Sequence, residues 1–198
     1  MQNTPQTELW LASSSRYRQQ LLQKTGLSFQ VAVPAIDESP LPGEAPAELV
    51  QRLALDKASK IAGSLSQGLV IGSDQVAVFN GAILGKPHKT EAAIAQLQAF
   101  SGQEVTFLTG LALVDAASGQ NQVCCEPFSV HFRQLTDAEI VNYVALEQPL
   151  DCAGSFKSEG LGIGLFEKLE GKDPNSLIGL PLIRLLAMLR QHGVNPLA

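Results

Sequence analysis

The sequence predicts an α/β fold in which a mixed, twisted sheet is flanked by helices. Segments with strand-like patterns alternate along the chain with segments whose apolar residues recur every three or four positions. The 198 residues are 45% hydrophobic and 17% charged, a composition that excludes a disordered chain. A chain of this length buries roughly 70% of its unfolded surface, so we expect one domain over residues 1–198.

In the first half of the chain, the sequence pattern predicts a strand over 9–12, a helix from 13–15 to about 25 and a strand over 29–33. A proline-rich loop over 34–46 and an amphipathic helix over 47–62 follow. Three serine hydroxyls can cap the first helix, and Gly26 stops it. We expect Asp37 and Glu38 in the loop to be exposed. Lys57 falls within the apolar stripe of the second helix.

In the second half, the sequence pattern predicts a strand over 69–79 with a hairpin to 82–84, a helix over 90–100 and paired strands over 105–115 and 121–133. It then predicts a helix from 136 to about 147, a strand over 161–169, a turn over 171–175 and a helix over 180–191. Asn80 and Gly81 form a strong hairpin signal. Thr136 and Glu139 form a capping box. Pro181 suits the first turn of the last helix.

Charge and cysteine content exclude several classes of protein. Fourteen basic and nineteen acidic residues give a formal charge of −5, so no overall basic field attracts nucleic acid. The longest uncharged apolar run is about half of the roughly 20 residues that a membrane helix needs, and residues 1–8 lack the features of a signal peptide. Three cysteines form neither an even framework nor a CxxC pair. We therefore expect a cytoplasmic protein with no nucleic-acid or membrane partner.

Two glycine motifs fail when their spacing is checked. Only three residues separate Gly81 from Gly85 before Lys86, whereas a phosphate-binding P-loop has four. The glycines at 160, 162 and 164 miss the dinucleotide-binding spacing. The three histidines have no ligand spacing to one another or to cysteine, so no zinc site is expected.

Four polar segments remain as candidates for chemistry, each with a plainer alternative. Ser13 to Arg18 could cradle a phosphate at a helix start, or could be an ordinary serine cap beside a solvated arginine. Asp74 interrupts an apolar strand, where a carboxylate is costly unless it is paired or binds a metal; a bond to a nearby turn is the alternative. Lys57 and Lys86 could bind an anion or extend to solvent. The polar segment 155–160 could form one wall of a pocket or an exposed loop.

Together these segments resemble the Maf nucleotide pyrophosphatase family over nearly the whole chain. The matching segments are 11–18 (LASSSRYR), 36–38 (IDE), 54–58 (ALDKA), 72–75 (GSDQ), 85–87 (GKP), 101–102 (SG) and 179–182 (GLPL). The resemblance implies a fold related to that of inosine triphosphatases, with a cleft between two lobes. It also implies a nucleoside triphosphate substrate and a homodimer.

Three positions resemble those of the family's subgroup that hydrolyses 7-methyl-GTP to 7-methyl-GMP and pyrophosphate. These are Tyr17, Gln75 and Glu159, where the subgroup that acts on dTTP and UTP has Arg, Thr and Gln; Trp is commoner at position 17, and Arg16 replaces a frequent Pro. Methylation at N7 makes guanine cationic, so an aromatic face gains about 0.5 to 2 kcal/mol of cation–π attraction. Glu159 can pair with the N–H donors of the base, and Gln75 can add an amide hydrogen bond.

The resemblance implies a role for each remaining polar residue. Asp74 is similar to the family's general base, and Asp74 with Glu38 is the best pair for Mg²⁺ or Mn²⁺, because hard divalent ions prefer carboxylate oxygens. The residues expected to contact phosphate are Ser13, Arg18, Lys57 and Lys86. Three alternatives stay open at this stage: a dTTP/UTP pyrophosphatase, a non-enzymatic regulator of septum formation, and a module that binds single-stranded RNA or a methylated cap.

Overall fold

The computed structural model describes residues 7–198, so residues 1–6 of the stretch tested for a signal peptide lie outside it. The strands are β1 (Leu9–Ala12), β2 (Gln30–Ala32), β3 (Leu69–Phe79), β4 (Ala82–Leu84), β5 (Glu104–Asp115), β6 (Asn121–Phe132) and β7 (Phe166–Gly171). The helices are α1 (Arg16–Gln23), α2 (Pro46–Ala62), α3 (Thr90–Phe100), α4 (Asp137–Glu147), α5 (Pro174–Ile178) and α6 (Leu182–Gln191). No helix in this described part is long and apolar enough to cross a membrane.

The strands form one sheet with the order β2-β1-β3-β5-β6-β7, and β4 pairs with β3 off this path. Strand β1 runs parallel to β2 and β3, whereas β3, β5, β6 and β7 pair antiparallel in turn. The mixed sheet expected from the sequence is therefore confirmed. The hairpin predicted at Asn80 and Gly81 joins β3 to β4.

Strand β3 shapes the region that matters for function, because one of its edges is only partly paired. Along that edge β1 pairs with residues 69–72 and β4 pairs with residues 77–79. Residues 73–76 have no strand partner on this side within the described chain, although β5 pairs with them on the other side. This gap separates the two lobes of the fold, and polar residues of β3 lie in it.

The two faces of the sheet are covered by different helices. Helix α2 packs so closely on one face that a Cβ atom on Gly72 would overlap the carbonyl oxygen of Ala54, and one on Gly110 would overlap that of Val50. Helices α1 and α6 pack leucines on the opposite face, against Leu69 and other residues of β1, β3 and β5. A phenylalanine-rich core beneath α3 and α4 fills the other lobe.

The largest departures from the predicted elements lie between residues 160 and 182. Where a strand over 161–169 is predicted, a 3₁₀ turn occupies Leu161–Leu165 and β7 begins only at Phe166. The turn predicted over 171–175 is instead the start of α5, whose N-cap is Asp173, with Pro174 in the first helical turn. The last helix begins at Leu182 rather than at residue 180, with Pro181 as its N-cap.

Candidate active site

A cleft of about 800 Å³ opens at the gap in the β3 edge. All nine residues singled out in the sequence border it: Ser13, Tyr17, Arg18, Glu38, Lys57, Asp74, Gln75, Lys86 and Glu159. They come from the loop after β1, α1, the loop before α2, α2, β3, the segment after β4 and the segment after α4. The fold thus brings together residues that are as far as 146 positions apart in the sequence, from Ser13 to Glu159.

Lys57 contacts two of the carboxylates that border the cleft, those of Asp74 and Glu38. Its Nζ atom lies 2.6 Å from Asp74 Oδ1 and 3.0 Å from Glu38 Oε1. The Lys57 side chain is only 8% exposed, so it does not extend into bulk solvent, and Asp74 is paired across the gap rather than with a neighbouring turn. Glu38 is 58% exposed, as expected, yet it still contacts this buried ammonium group.

The position of Glu38 depends on a loop that α2 holds in place. Arg52 of α2 donates to both carboxylate oxygens of Glu44 and, through Nη2, to the backbone oxygen of Ser39 at 3.1 Å. The guanidinium of Arg52 lowers the pKa of Glu44 to about 2. Because Ser39 directly follows Glu38, these bonds restrict the loop next to the acidic residue that faces Lys57.

The N-terminus of α1 presents phosphate-binding groups to the cleft. Ser15 is the N-cap and accepts from the backbone N–H of Arg18, while Ser13 Oγ accepts from the backbone N–H of Ser15 at 3.1 Å. Arg18 Nε donates to the carbonyl oxygen of Gly179 at 2.8 Å. Its two terminal nitrogens have no hydrogen-bond partner among residues 7–198, so they can bind phosphate. Burial lowers the pKa of Arg18, but arginine stays cationic in proteins.

Lys86 differs from Arg18 and Lys57 in its exposure. It follows the β3–β4 hairpin, is exposed, and makes no ion pair within the described chain. It borders the same cleft as Arg18 and Lys57. Three positive side chains therefore surround the carboxylates from three different elements, which suits a polyphosphate.

Gln75 has a fixed orientation that leaves one atom for a ligand. Its Nε2 donates to Ser176 O at 2.7 Å, to Thr109 Oγ1 at 2.9 Å and to Leu177 O at 3.1 Å. Two of these partners are backbone carbonyls, which only accept, so the NH₂ group must face them. Nothing in the described chain donates to Oε1. The amide hydrogen bond expected from the sequence is thus restricted to an acceptor role.

Helix α5 supplies the partners that orient these side chains, a role that the sequence analysis missed. The carbonyl of Gly179 accepts from Arg18 Nε and from Ser73 Oγ, and that of Ser176 accepts from Gln75 and Thr109. Carbonyls at a helix C-terminus lack intrahelical donors, so they are free to do this. The sequence signals were the Asp-Pro start of α5 and the GLPL match at 179–182.

Tyr17 and Glu159, two of the residues predicted to select the base, both border the cleft. The Arg16 guanidinium lies over the Tyr17 ring, 5.0 Å from its centroid, and Nη2 donates to the Tyr17 hydroxyl at 3.0 Å. One face of the ring is therefore covered by a cation. Burial raises the pKa of Tyr17. Glu159 is exposed, and among residues 7–198 its carboxylate accepts a hydrogen bond only from Ser158 Oγ, at 3.4 Å.

The donor set of the cleft fits a hard divalent cation. Glu38 and Asp74 converge on one positive group, the Lys57 ammonium, and Glu38 has a second carboxylate oxygen with no hydrogen bond in the described chain. No group of three or more His, Cys, Asp or Glu side chains that could hold a metal occurs among residues 7–198. Two carboxylates suffice for Mg²⁺, which usually takes its remaining ligands from water and substrate phosphates.

Comparisons with known proteins agree with this geometry. A family model described as "Maf-like protein" matches residues 8–192. A protein of Pseudoalteromonas translucida named "7-methyl-GTP pyrophosphatase" is 59% identical over 190 residues, covering 96% of this chain and 94% of its own. Proteins with the same name from Pseudomonas aeruginosa (59% over 187 residues, covering 94% and 97%) and Vibrio vulnificus (57% over 191 residues, covering 96% and 97%) are similar.

A solved structure supports the fold. The Staphylococcus aureus Ham1 protein matches with a TM-score of 0.52, covering 93% of this chain and 99% of its own, at 15% sequence identity. At that identity the likeness concerns the fold alone. It agrees with the two-lobed α/β architecture expected from the sequence.

Proposed function

The chain belongs to the Maf family, and from that premise we propose that it cleaves 7-methyl-GTP between the α and β phosphates, releasing 7-methyl-GMP and pyrophosphate. One observation carries the proposal: a single cleft holds the Asp74 carboxylate, three cations and the three base-selecting side chains. Neighbouring residues of β3 link catalysis to base recognition, because Asp74 contacts Lys57 while Gln75 contacts α5.

Asp74 acts as the general base. Its Oδ1 atom is held by Lys57 at 2.6 Å, and Oδ2 has no hydrogen bond within residues 7–198. Oδ2 therefore accepts the proton of the water that attacks the α-phosphorus. A positioned general base of this kind contributes roughly 10²- to 10⁴-fold to a rate.

The cations bind the triphosphate. Arg18 is pre-oriented by its bond to Gly179, so its terminal nitrogens can form a two-pronged contact with phosphate oxygens. Lys86 also borders the cleft, and the Ser13 hydroxyl lies just before the start of α1. Negative charge that develops on the leaving pyrophosphate is offset by these fixed groups.

Glu38 and Asp74 would hold Mg²⁺ or Mn²⁺. When bound, such an ion supplies Lewis acidity toward phosphate oxygens and makes water a better nucleophile at neutral pH. Its presence would complement Lys57, whose ammonium already lies between the two carboxylates.

The base is selected by charge. The uncovered face of Tyr17 attracts the cationic 7-methylguanine ring, and the Glu159 carboxylate accepts from its N–H groups. Gln75 Oε1 is a third acceptor. A neutral pyrimidine has no positive charge for these groups to recognise. Acting on the nucleotide pool, the enzyme would function in the cytoplasm as a homodimer.

The test is pyrophosphate release, with Mg²⁺, from 7-methyl-GTP, GTP, dTTP, UTP and CTP, using Asp74→Asn as the blank. We expect a strong preference for 7-methyl-GTP that disappears in the blank and after chelation of the metal. Preference for dTTP or UTP would support the pyrophosphatase reaction but contradict the proposed recognition of the methylated base. Tight binding of methylated guanine without turnover would favour a binding module, and a cellular division effect retained by Asp74→Asn would favour a regulator.

A further inference from the structure

We propose that Tyr143 and Glu147, on the last turns of α4, are positioning residues that set base selectivity by holding the segment that carries Glu159. Neither residue borders the cleft, so neither touches substrate. The proposal rests on the function above, in which Glu159 recognises the methylated base. In this proposal, Tyr143 and Glu147 hold the exposed carboxylate of Glu159 in one place.

Two hydrogen bonds bracket Glu159, one on each side. Tyr143 Oη accepts from the backbone N–H of Lys157 at 3.0 Å, two residues before Glu159. Glu147 Oε1 accepts from the backbone N–H of Leu161 at 3.0 Å, two residues after it. Lys157 Nζ adds a third bond, to the backbone oxygen of Glu147, at 2.5 Å.

Two glycines make this attachment close. A Cβ atom on Gly160 would lie 2.9 Å from Glu147 Oε1, and one on Gly162 would lie 3.0 Å from Tyr143 Oη and would overlap the carbonyl oxygen of Lys157. Two of the three spaced glycines that fail as a dinucleotide motif, Gly160 and Gly162, thus let the segment lie against α4.

Glu159 depends on these anchors because it has little support of its own. In the described chain its carboxylate contacts only Ser158 Oγ, at 3.4 Å. Tyr143, by contrast, is 3% exposed and firmly packed in the core of its lobe. A rigid helix end therefore determines where the carboxylate stands relative to the Tyr17 ring across the cleft, and a site held on rigid elements discriminates better than one on a free loop.

The experiment compares Tyr143→Phe and Glu147→Ala, which each remove an anchor, with Glu147→Gln, which keeps an Oε1 acceptor for Leu161. Each change is made both in the wild-type chain and in a Glu159→Gln background. Two ratios are measured: kcat/KM for 7-methyl-GTP over GTP, and affinity for 7-methyl-GMP over GMP by calorimetry. Thermal unfolding establishes that each variant is folded.

We expect Tyr143→Phe and Glu147→Ala to lower both ratios roughly three- to tenfold in the wild-type background. In the Glu159→Gln background they should leave both ratios unchanged, because the effects of residues that act through one another are not additive. Glu147→Gln should retain the wild-type ratios, and kcat for GTP should not change. Equal losses in both backgrounds, or no loss in either, would overturn the proposal. If Tyr143→Phe does not fold, the comparison of Glu147→Ala with Glu147→Gln tests the proposal.

The two proposals fail differently. A wild-type chain that prefers 7-methyl-GTP, with anchor variants that keep this preference, refutes only the positioning role. A wild-type chain that releases no pyrophosphate refutes the enzymatic function, while the monophosphate affinities still report on the anchors. Equal wild-type affinity for 7-methyl-GMP and GMP refutes both base selection and its positioning.

Discussion

At the scale of single residues, Asp74 is the side chain on which the proposed mechanism depends most. Asp74→Asn keeps the shape of the side chain and removes its capacity as a base, so pyrophosphate release should fall by about 10²- to 10⁴-fold. The matched control is Asp56→Asn. Asp56 is an acidic residue on α2 that is 45% exposed, pairs with Arg52 and does not border the cleft. Undiminished release from a folded Asp74→Asn protein would remove Asp74 from the mechanism.

Thr109 offers a second residue-scale prediction because its hydroxyl both accepts from Gln75 and donates to Ser176. Thr109→Val has the same shape without the hydroxyl. We expect KM for 7-methyl-GTP to rise several-fold with little change in kcat, and stability to fall by about 1 to 3 kcal/mol, as for a lost buried hydrogen bond. Thr109→Ser should restore both. Similar KM values for the valine and serine variants would show that Thr109 does not orient Gln75.

The candidate site could be predicted from the sequence as a set of residues but not as a geometry. Asp74 and Lys57 are recognisable because charged side chains interrupt apolar patterns. That Lys57 contacts Asp74, or that the Gln75 amide is occupied by α5, depends on pairs 17 and about 100 positions apart. Periodicity describes neighbours along the chain, so it carries no information on such contacts.

At the scale of elements, the approach of α2 to the sheet places Lys57 beside Asp74. Gly110→Ala would force a methyl group against the backbone of Val50, so we expect a stability loss of about 1 to 3 kcal/mol or more, from overpacking. Gly63→Ala, at the end of the same helix, is the control, because its added Cβ would meet Ser59 O at 3.4 Å. Chemical denaturation of both variants is the measurement. Equal stabilities would mean that α2 can move away from the sheet without cost.

The loop before α2 gives a prediction about pH. Arg52 lowers the pKa of Glu44 from 4.5 to about 2, so the folded state favours the ionised carboxylate. The resulting stabilisation is present above about pH 4.5 and is lost as the pH falls toward 2. Glu44→Gln should therefore show a flatter decline of melting temperature than the wild type over this acidic range. Parallel curves for the two proteins would contradict the role of this pair in holding the loop.

Elements with strong periodicity were predicted closely, and those without it were not. The 69–79 strand and the 90–100 helix coincide with β3 and α3, since long apolar patterns and clear stop signals define both. Segment 161–169 forms a 3₁₀ turn before β7, and it contains Gly162, which packs closely against Tyr143 of α4, a contact that periodicity does not reveal. Helix α5 has only five residues, too few for a periodic pattern.

At the scale of the whole molecule, the two lobes share β3, and the cleft between them is lined from both sides. A ligand that binds only the folded state stabilises it by about 2.7 kcal/mol at a hundred times its dissociation constant. For a domain of this size that corresponds to a rise in melting temperature of roughly 5 to 10 °C. We expect one cooperative transition, because β3 contributes to the cores of both lobes, including Leu69 in one and Ala77 in the other.

The choice of ligand makes this whole-molecule prediction specific to base recognition. At equal concentration, 7-methyl-GMP should raise the melting temperature more than GMP, and UMP should raise it least, because only the methylated base is cationic. In Glu159→Gln the difference between 7-methyl-GMP and GMP should shrink. The smaller shift with inorganic pyrophosphate should persist, since Glu159 is not among the residues proposed to bind phosphate. Equal shifts with all three monophosphates in the wild-type protein would mean that the cleft binds phosphate without distinguishing the base.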